Sequence, residues 1–396
     1  MSELTAAPAA TAWDGWLRGR AAVRAKRDMQ RADSARADLY DLASNDYLGL
    51  SAHPLVRTAA INALCTVGAG ASASRVASGT WGIHRELETA LCDYTGRAQA
   101  LVFSSGYTAN LGVLGALGGP GSLFLLDAHA HASLIDGAKL SGAAWHSFEH
   151  NNLAAAEALL RANRDAPAPK PRVVLVLESI YSVLGDAAPL ERAAALCAQY
   201  GALLLVDEAH SLAAVTGGSA VRAAGLEQAG HVLATATLSK ALGAQGGVVL
   251  LGGPQAQLWR EHLLNTARTF IFDTALAPAA AAGALAALDL ATAERIAALA
   301  ANTRLIRDTL AAHERLAGRI DPAAGAVQSV RMRTPGQAAA AAALLRERGC
   351  AVNCFRPPSV PDGISRLRLT AHAHHHPDTL AAVLETVART IKEVES

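Results

Sequence analysis

"RVVLVLESIYSVLGDAAPLERAAALCAQYGALLLVDEAH", residues 172–210, decides the fold. Two apolar runs, 172–177 and 202–206, have strand length and β-branched content, and an alanine-rich segment of helical composition lies between them. Neither run alternates with polar residues, so each strand is buried on both faces. Strand, helix and second strand of this kind form the repeating unit of a parallel sheet covered by helices. Each run ends on a carboxylate, Glu178 and Asp207. Ligands of open α/β sheets bind outside the carboxyl ends of the strands, so these two ends mark a site.

Working outward, "ALVF" (100–103), "SLFLL" (122–126), "HVLATA" (231–236) and "GGVVLL" (246–251) repeat the strand pattern. A mostly parallel sheet sandwiched by helices is therefore predicted, with all these strands in it. The run 231–236 leads into "TLSKALGAQGG" (237–247), where Lys240 is the only formal charge between Glu227 and Arg260. The chain has five lysines against thirty arginines, which makes a lysine in an apolar, glycine-flanked loop unusual. Desolvation depresses an ammonium's pKa and leaves a nucleophilic amine, the requirement for Schiff-base chemistry; taken alone, the position is equally open to a structural role. Asp207 and Glu208 are the only acidic pair between Arg192 and Arg222. Asp207 either supplies charge to the pyridine nitrogen of a bound pyridoxal phosphate or caps the next helix. His210 is placed to reach the same ring.

The segment "SSGYTANLGVLGAL" (104–117) follows a strand and turns into a helix, so amides near Gly106 and Tyr107 suit a phosphate. An ordinary serine-capped helix has the same pattern. His131, in "DAHAHASLIDG" (127–137), is either a ring-stacking group or a loop histidine.

Composition narrows the function classes. The chain has 396 residues, 51% hydrophobic and 17% charged, and a net charge of +1. It is long enough for a large and a smaller domain, and it carries no field for steering toward nucleic acid or an anionic membrane. Cys65, Cys92, Cys197, Cys350 and Cys354 are scattered without a CxxC spacing, and read as buried thiols of a reducing compartment. The start "MSELTAAPAATAWDG" lacks the features of a signal peptide, and no run of about 18 apolar residues occurs, so a soluble cytoplasmic protein is expected. No G-x-S-x-G elbow and no phosphate loop of the G-x-x-x-x-G-K-[ST] type is present. "GAGASA" (68–73) fits a dinucleotide fingerprint but follows a helix-like segment instead of a strand. "HAHHH" (372–376) reads as a loop ahead of a helix starting near Pro377 and Asp378. Residues 13–31 suit an amphipathic helix with a basic face.

Together these motifs resemble the α-oxoamine synthase family of fold-type I pyridoxal-phosphate enzymes. The resemblance rests on "SNDYLGLSAHP" (44–54), "SRVASGTWGIHRELE" (74–88), "FSSGYTANLG" (103–112), "HASLIDG" (131–137), "ESIYSVLGDAAPL" (178–190), "LLLVDEAHS" (203–211), "TLSKALGAQGG" and "FRPPSVPDGISRLRLT" (355–370). It implies a helical segment 1–44, a cofactor-binding domain 45–283 and a small α+β domain 284–396. It implies pyridoxal 5'-phosphate on Lys240 as the Schiff-base lysine, with Asp207 at the pyridine nitrogen, His210 at the phenolic oxygen and His131 stacked on the ring. Gly106, Tyr107, Ser182 and Thr237 would contact the cofactor or its phosphate, and Asn45, Ser74, Arg356 and Ser359 the substrates, with Arg27 meeting the acyl group. The implied reaction is the decarboxylative condensation of L-alanine with a pimeloyl thioester, carried on coenzyme A or an acyl carrier protein, by a homodimer. Family members using glycine or serine with other thioesters, and a regulatory subunit that has lost catalysis, are the alternatives. The chain departs from many members at Val183-Leu184, where they carry Met-Asp, and at Ser211, where they carry glycine.

Overall fold

The structure, a computed structural model, describes residues 11–26, 38–357 and 360–396. In chain order its strands are β1 (Tyr40–Leu42), β2 (Gln99–Phe103), β3 (Ser122–Asp127), β4 (Ala144–Phe148), β5 (Arg172–Glu178), β6 (Leu203–Asp207), β7 (Val232–Thr237), β8 (Gly247–Leu251), β9 (Val327–Arg331), β10 (Cys350–Phe355) and β11 (Arg366–Thr370). Seven of them form one sheet in the order β2-β8-β7-β6-β5-β3-β4, and every strand expected from the apolar runs lies in it. β4 to β7 follow the parallel pattern, but β8 is antiparallel to both β7 and β2. The reason is chain length. The loop 238–246 joining β7 to β8 is shorter than the dozen or so residues of a parallel crossover, so the chain must turn back as a hairpin. That hairpin loop carries Lys240. β4 had no apolar run to reveal it: it is an edge strand exposed at Ala144 to Ser147, with only Phe148 buried.

Alternation along the strands sends side chains to two cores. Ala100, Val102, Leu125, Leu204 and Val206 pack on one face, and Leu101, Phe103, Phe124, Leu126 and Leu205 on the other. Burying each of the larger side chains contributes about 1.5–3 kcal/mol. The helix Gly106–Leu117 covers the second face, with buried Ala109 and Val113 four residues apart on one side of it and Leu114 beside them.

The second sheet has the order β1-β10-β11-β9, with β1 parallel to β10 and the rest antiparallel. The helix Pro377–Val394 lies beyond it and buries Leu380, Leu384, Val387 and Ile391. It begins where "HAHHH" ends, as expected. The N-terminal helix spans Ala12–Lys26, and all its residues are exposed. The expectation of five buried thiols is corrected at three of them: Cys197 and Cys350 are buried, Cys92 and Cys354 are half-buried, and Cys65 is exposed on the outer side of the helix Pro54–Thr66, which buries Val56 and Ala63.

Candidate active site

The carboxyl ends of β5, β6 and β7 meet the start of the helix Gly106–Leu117 around a cavity of about 250 Å³. Gly106, Tyr107, His131, Asp207, His210, Thr237 and Lys240 all line it, with Ser105, Asn110, Ser133, Glu178, Ala209 and Ser239. Counting Glu178, eight of the residues singled out in the sequence therefore converge.

Close backbone approach builds one wall. A Cβ on Gly247 would lie 2.2 Å from the Ser105 carbonyl oxygen, and one on Gly106 would lie 3.0 Å from Thr237 Cβ. Glycine at both positions lets the helix start lie against the end of β7. Ser105 Oγ accepts from Thr108 N (3.1 Å) and Thr108 Oγ1 accepts from Ser105 N (3.0 Å), a reciprocal cap. The amides of Gly106 and Tyr107 are left facing the cavity end, beside the hydroxyls of Thr237 and Ser239, which lie 2.7 Å apart. Free amides, two hydroxyls and a helix N-terminus suit a phosphate.

On the opposite side a directed chain of hydrogen bonds runs inward. Lys240 Nζ donates to His210 Nε2 (2.7 Å), His210 Nδ1 lies 2.7 Å from Tyr47 Oη, and Tyr47 Oη donates to Asn45 Oδ1 (3.1 Å). Burial, and then the Lys240 and Arg368 charges, hold the His210 pKa well below its usual value, so the ring is neutral. With Nε2 accepting from lysine, its proton sits on Nδ1 and points to Tyr47. Burial also lowers Lys240 to about 8, against the opposing pull of Asp207. The unprotonated amine is thus far more abundant near neutral pH than in an ordinary lysine, though still the minor form.

The acidic pair separates. Asp207 faces the cavity, with Oδ1 accepting from Ala209 N (2.8 Å) and Oδ2 from Asn110 Nδ2 (2.7 Å). Glu208 turns away and accepts from Ser219 Oγ and Val221 N, anchoring the following loop. Glu178 is in register with Asp207 on the neighbouring strand; burial, and then the Asp207 charge, raise its pKa well above the carboxylate range. His131 caps the helix Ala132–Leu140, its Nδ1 accepting from Ser133 N (3.2 Å), and burial lowers its pKa.

The remaining expected residues are less central. Asn45 joins through Tyr47, while Ser182 offers its carbonyl to Arg368 Nε (2.8 Å) and does not line the cavity. Arg356 is half-buried just after β10, and Ser74 lies in the turn before Gly79, neither of them at the cavity wall. Arg27 and Ser359 lie outside the described residues. Sequence reasoning missed Arg368, which is 3% exposed and also donates from Nη2 to Asn45 Oδ1 (3.0 Å). Among the described residues no carboxylate lies within ion-pair distance of it. Its signal was a charge at alternating positions of "RLRLT", 366–370, in an otherwise apolar strand. Tyr47 and Asn110 were likewise quoted within motifs but given no role.

Residues 37–387 match the family described as aminotransferase class I and II. The chain belongs to that family. The 8-amino-7-oxononanoate synthase of Mycolicibacterium smegmatis is 46% identical over 358 residues, 90% of this chain and 90% of that protein. A serine palmitoyltransferase from S. paucimobilis with a bound PLP-myriocin aldimine superposes with a TM-score of 0.85 at 30% identity, covering 97% of this chain and 98% of that one. An 8-amino-7-oxononanoate synthase from Francisella tularensis shares the fold, with a TM-score of 0.72 at 24% identity over 90% of this chain and 99% of that one. The fold-type I transferase architecture and the resemblance to the α-oxoamine synthases are borne out, and the chain is an enzyme of this group. No helix among the described residues is long and apolar enough to cross a membrane.

Proposed function

We propose that the chain condenses L-alanine with a pimeloyl thioester, on coenzyme A or an acyl carrier protein, releasing CO2 and the free thiol and giving 8-amino-7-oxononanoate for biotin synthesis. The observation that carries this reading is the cavity in which an activated Lys240 faces Asp207 across a phosphate-suited helix start. The substrates are those the resemblance implies, and relatives near 46% identity named 8-amino-7-oxononanoate synthase support them.

Pyridoxal 5'-phosphate fits these residues. The Gly106 and Tyr107 amides with Thr237 and Ser239 suit its phosphate, Asp207 its ring nitrogen, and Lys240 its aldehyde, while Glu178 Oε1 is a buried polar atom with no protein partner. When bound, this cofactor supplies an electron sink for the charge that develops at an amino-acid α-carbon. The chain's own residues do the rest. Lys240, lowered to about 8, takes and returns the α-proton through Nζ. His210, neutral and fixed by Tyr47, accepts a hydrogen bond from that amine without competing for the proton. Asp207 keeps a negative charge where a ring nitrogen would need one to stay protonated. Arg368, buried without a carboxylate partner among the described residues, offers its guanidinium to the amino acid's carboxylate.

The active unit is a homodimer in the cytoplasm. Tyr107 lines the cavity yet is 45% exposed, surface that suits a second copy; the N-terminal arginines would then meet the acyl group, while Ser74 leaves room for alanine's methyl. A second reading, a serine palmitoyltransferase-like activity, is favoured by the structural likeness at TM-score 0.85. The higher sequence identity to relatives named 8-amino-7-oxononanoate synthase outweighs it. The test is carrier-thiol release with alanine, glycine and serine against pimeloyl, acetyl, succinyl and palmitoyl thioesters. Alanine with pimeloyl thioester is expected to be fastest, and a faster serine–palmitoyl or glycine–succinyl pair overturns the assignment.

A further inference from the structure

Asn110 is 2% exposed on the helix Gly106–Leu117, between the buried apolar residues Ala109 and Val113. Asparagine is a weak helix former, and an amide in such a place is destabilising unless its bonds are made. Here all are made. Nδ2 donates to Asp207 Oδ2 (2.7 Å) and to Ser133 Oγ (2.8 Å), while Oδ1 accepts from Thr235 Oγ1 (2.6 Å). A carboxylate only accepts, so the Asp207 contact fixes which end of the amide faces it. Ser133, having accepted from Asn110, has its own proton free to donate to His131 Nδ1 (2.8 Å). The same Nδ1 accepts from Ser133 N, so His131 carries its proton on Nε2. One side chain therefore ties together two groups that face the cavity from different elements, Asp207 at the end of β6 and His131 at the start of a helix.

We propose that Asn110 is a positioning residue that sets the Asp207 carboxylate, and through Ser133 the His131 ring, around the bound cofactor. The inference rests on the pyridoxal-phosphate reading above. Asp207 Oδ2 has no other hydrogen-bond partner among the described residues, and Oδ1 is held only by the adjacent Ala209 amide, so without Asn110 the carboxylate is free to rotate. The other titratable groups around the position are Glu178 from β5, His131, and Lys240 and His210 from across the cavity.

The experiment uses the full chain with pyridoxal phosphate, as wild type, Asn110→Leu and Asn110→Asp. Borohydride-fixed label on Lys240 checks the underlying reading, and the pH dependence of the bound cofactor's visible absorbance reads the positioning role. In Asn110→Leu the label is retained, the absorbance transition moves by about one pH unit or more, and kcat falls about 10- to 100-fold with the alanine KM nearly unchanged, the scale on which outer partners of site groups act. Asn110→Asp gains a pH dependence that wild type lacks. At low pH its carboxyl proton donates to Asp207 and restores the contact, and as pH rises two carboxylates face each other and the contact is lost. That variant carries the test if the leucine variant does not fold. Wild-type protein that takes no label on Lys240 sinks both readings. Labelled variants whose absorbance titration and kcat match wild type overturn the role of Asn110 alone.

Discussion

Replacing Lys240 with glutamine should make the cofactor-free protein more stable at neutral pH. Burial moves the lysine from 10.5 to about 8. At about 1.36 kcal/mol per pH unit, that is roughly 3.4 kcal/mol against the charged form. Lys240 is half-buried, and solvent at the cavity mouth screens part of this, leaving about 1.5 kcal/mol. Glutamine is the informative replacement because its amide can still donate to His210 Nε2, whereas an apolar side chain would leave that buried nitrogen unpaired. The sign follows from proton counting. Below about pH 8 both folded and unfolded chains hold the lysine proton, and the folded state bears the full penalty. Between about 8 and 10.5 only the unfolded chain holds it, so wild-type stability rises with pH. The assay is urea unfolding of wild type and Lys240→Gln, stripped of cofactor by hydroxylamine and dialysis, at pH 7 and at pH values up to about 10.5. The variant should lead by about 1.5 kcal/mol at pH 7 and lose its lead by the upper limit. A variant no more stable at pH 7, or a lead that does not change with pH, refutes the reasoning.

His150 lies between Asp127 (2.8 Å) and Asp186 (2.8 Å), whose hydrogen bonds and charges outweigh its burial and raise it from 6.5 to about 9. Its stabilisation is present in full below pH 6.5 and disappears as pH rises through 9, so wild type should lose about 1–2 kcal/mol over that window that His150→Gln does not lose, as read from urea midpoints. Asp207→Asn should keep the cofactor but set an amide NH2 against Asn110 Nδ2; thiol release should fall about 10²- to 10³-fold, and near-normal turnover would exclude the charge role. Maleimide should modify exposed Cys65 first, while Cys197 and Cys350, both buried and raised to about 12, react only after unfolding; mass mapping of the native protein decides it.

What could be read in the sequence followed from how physically local each signal is. The buried strands were legible because an apolar run records its own burial, and Lys240 and Asp207 because a charge at the end of such a run stands out against it. The direction of β8 was not, since apolar content is the same either way and only the short loop 238–246 forces the turn back. Asn110 was invisible for a different reason. Its partners Ser133, Asp207 and Thr235 are 23, 97 and 125 residues away in the chain, and its neighbours in sequence are ordinary helix core. Arg368 falls between these cases. Its place in an alternating strand was readable, yet its meaning depends on what it meets after folding, a carbonyl and an amide oxygen, neither of them charged. A guanidinium buried with only neutral acceptors is expensive to desolvate, and it is balanced once an anion arrives. On the proposed function the substrate is an amino acid and that anion would be its carboxylate, so stability given up by the free protein would be recovered on binding. Replacing Arg368 with methionine should therefore raise the alanine KM far more than it harms folding.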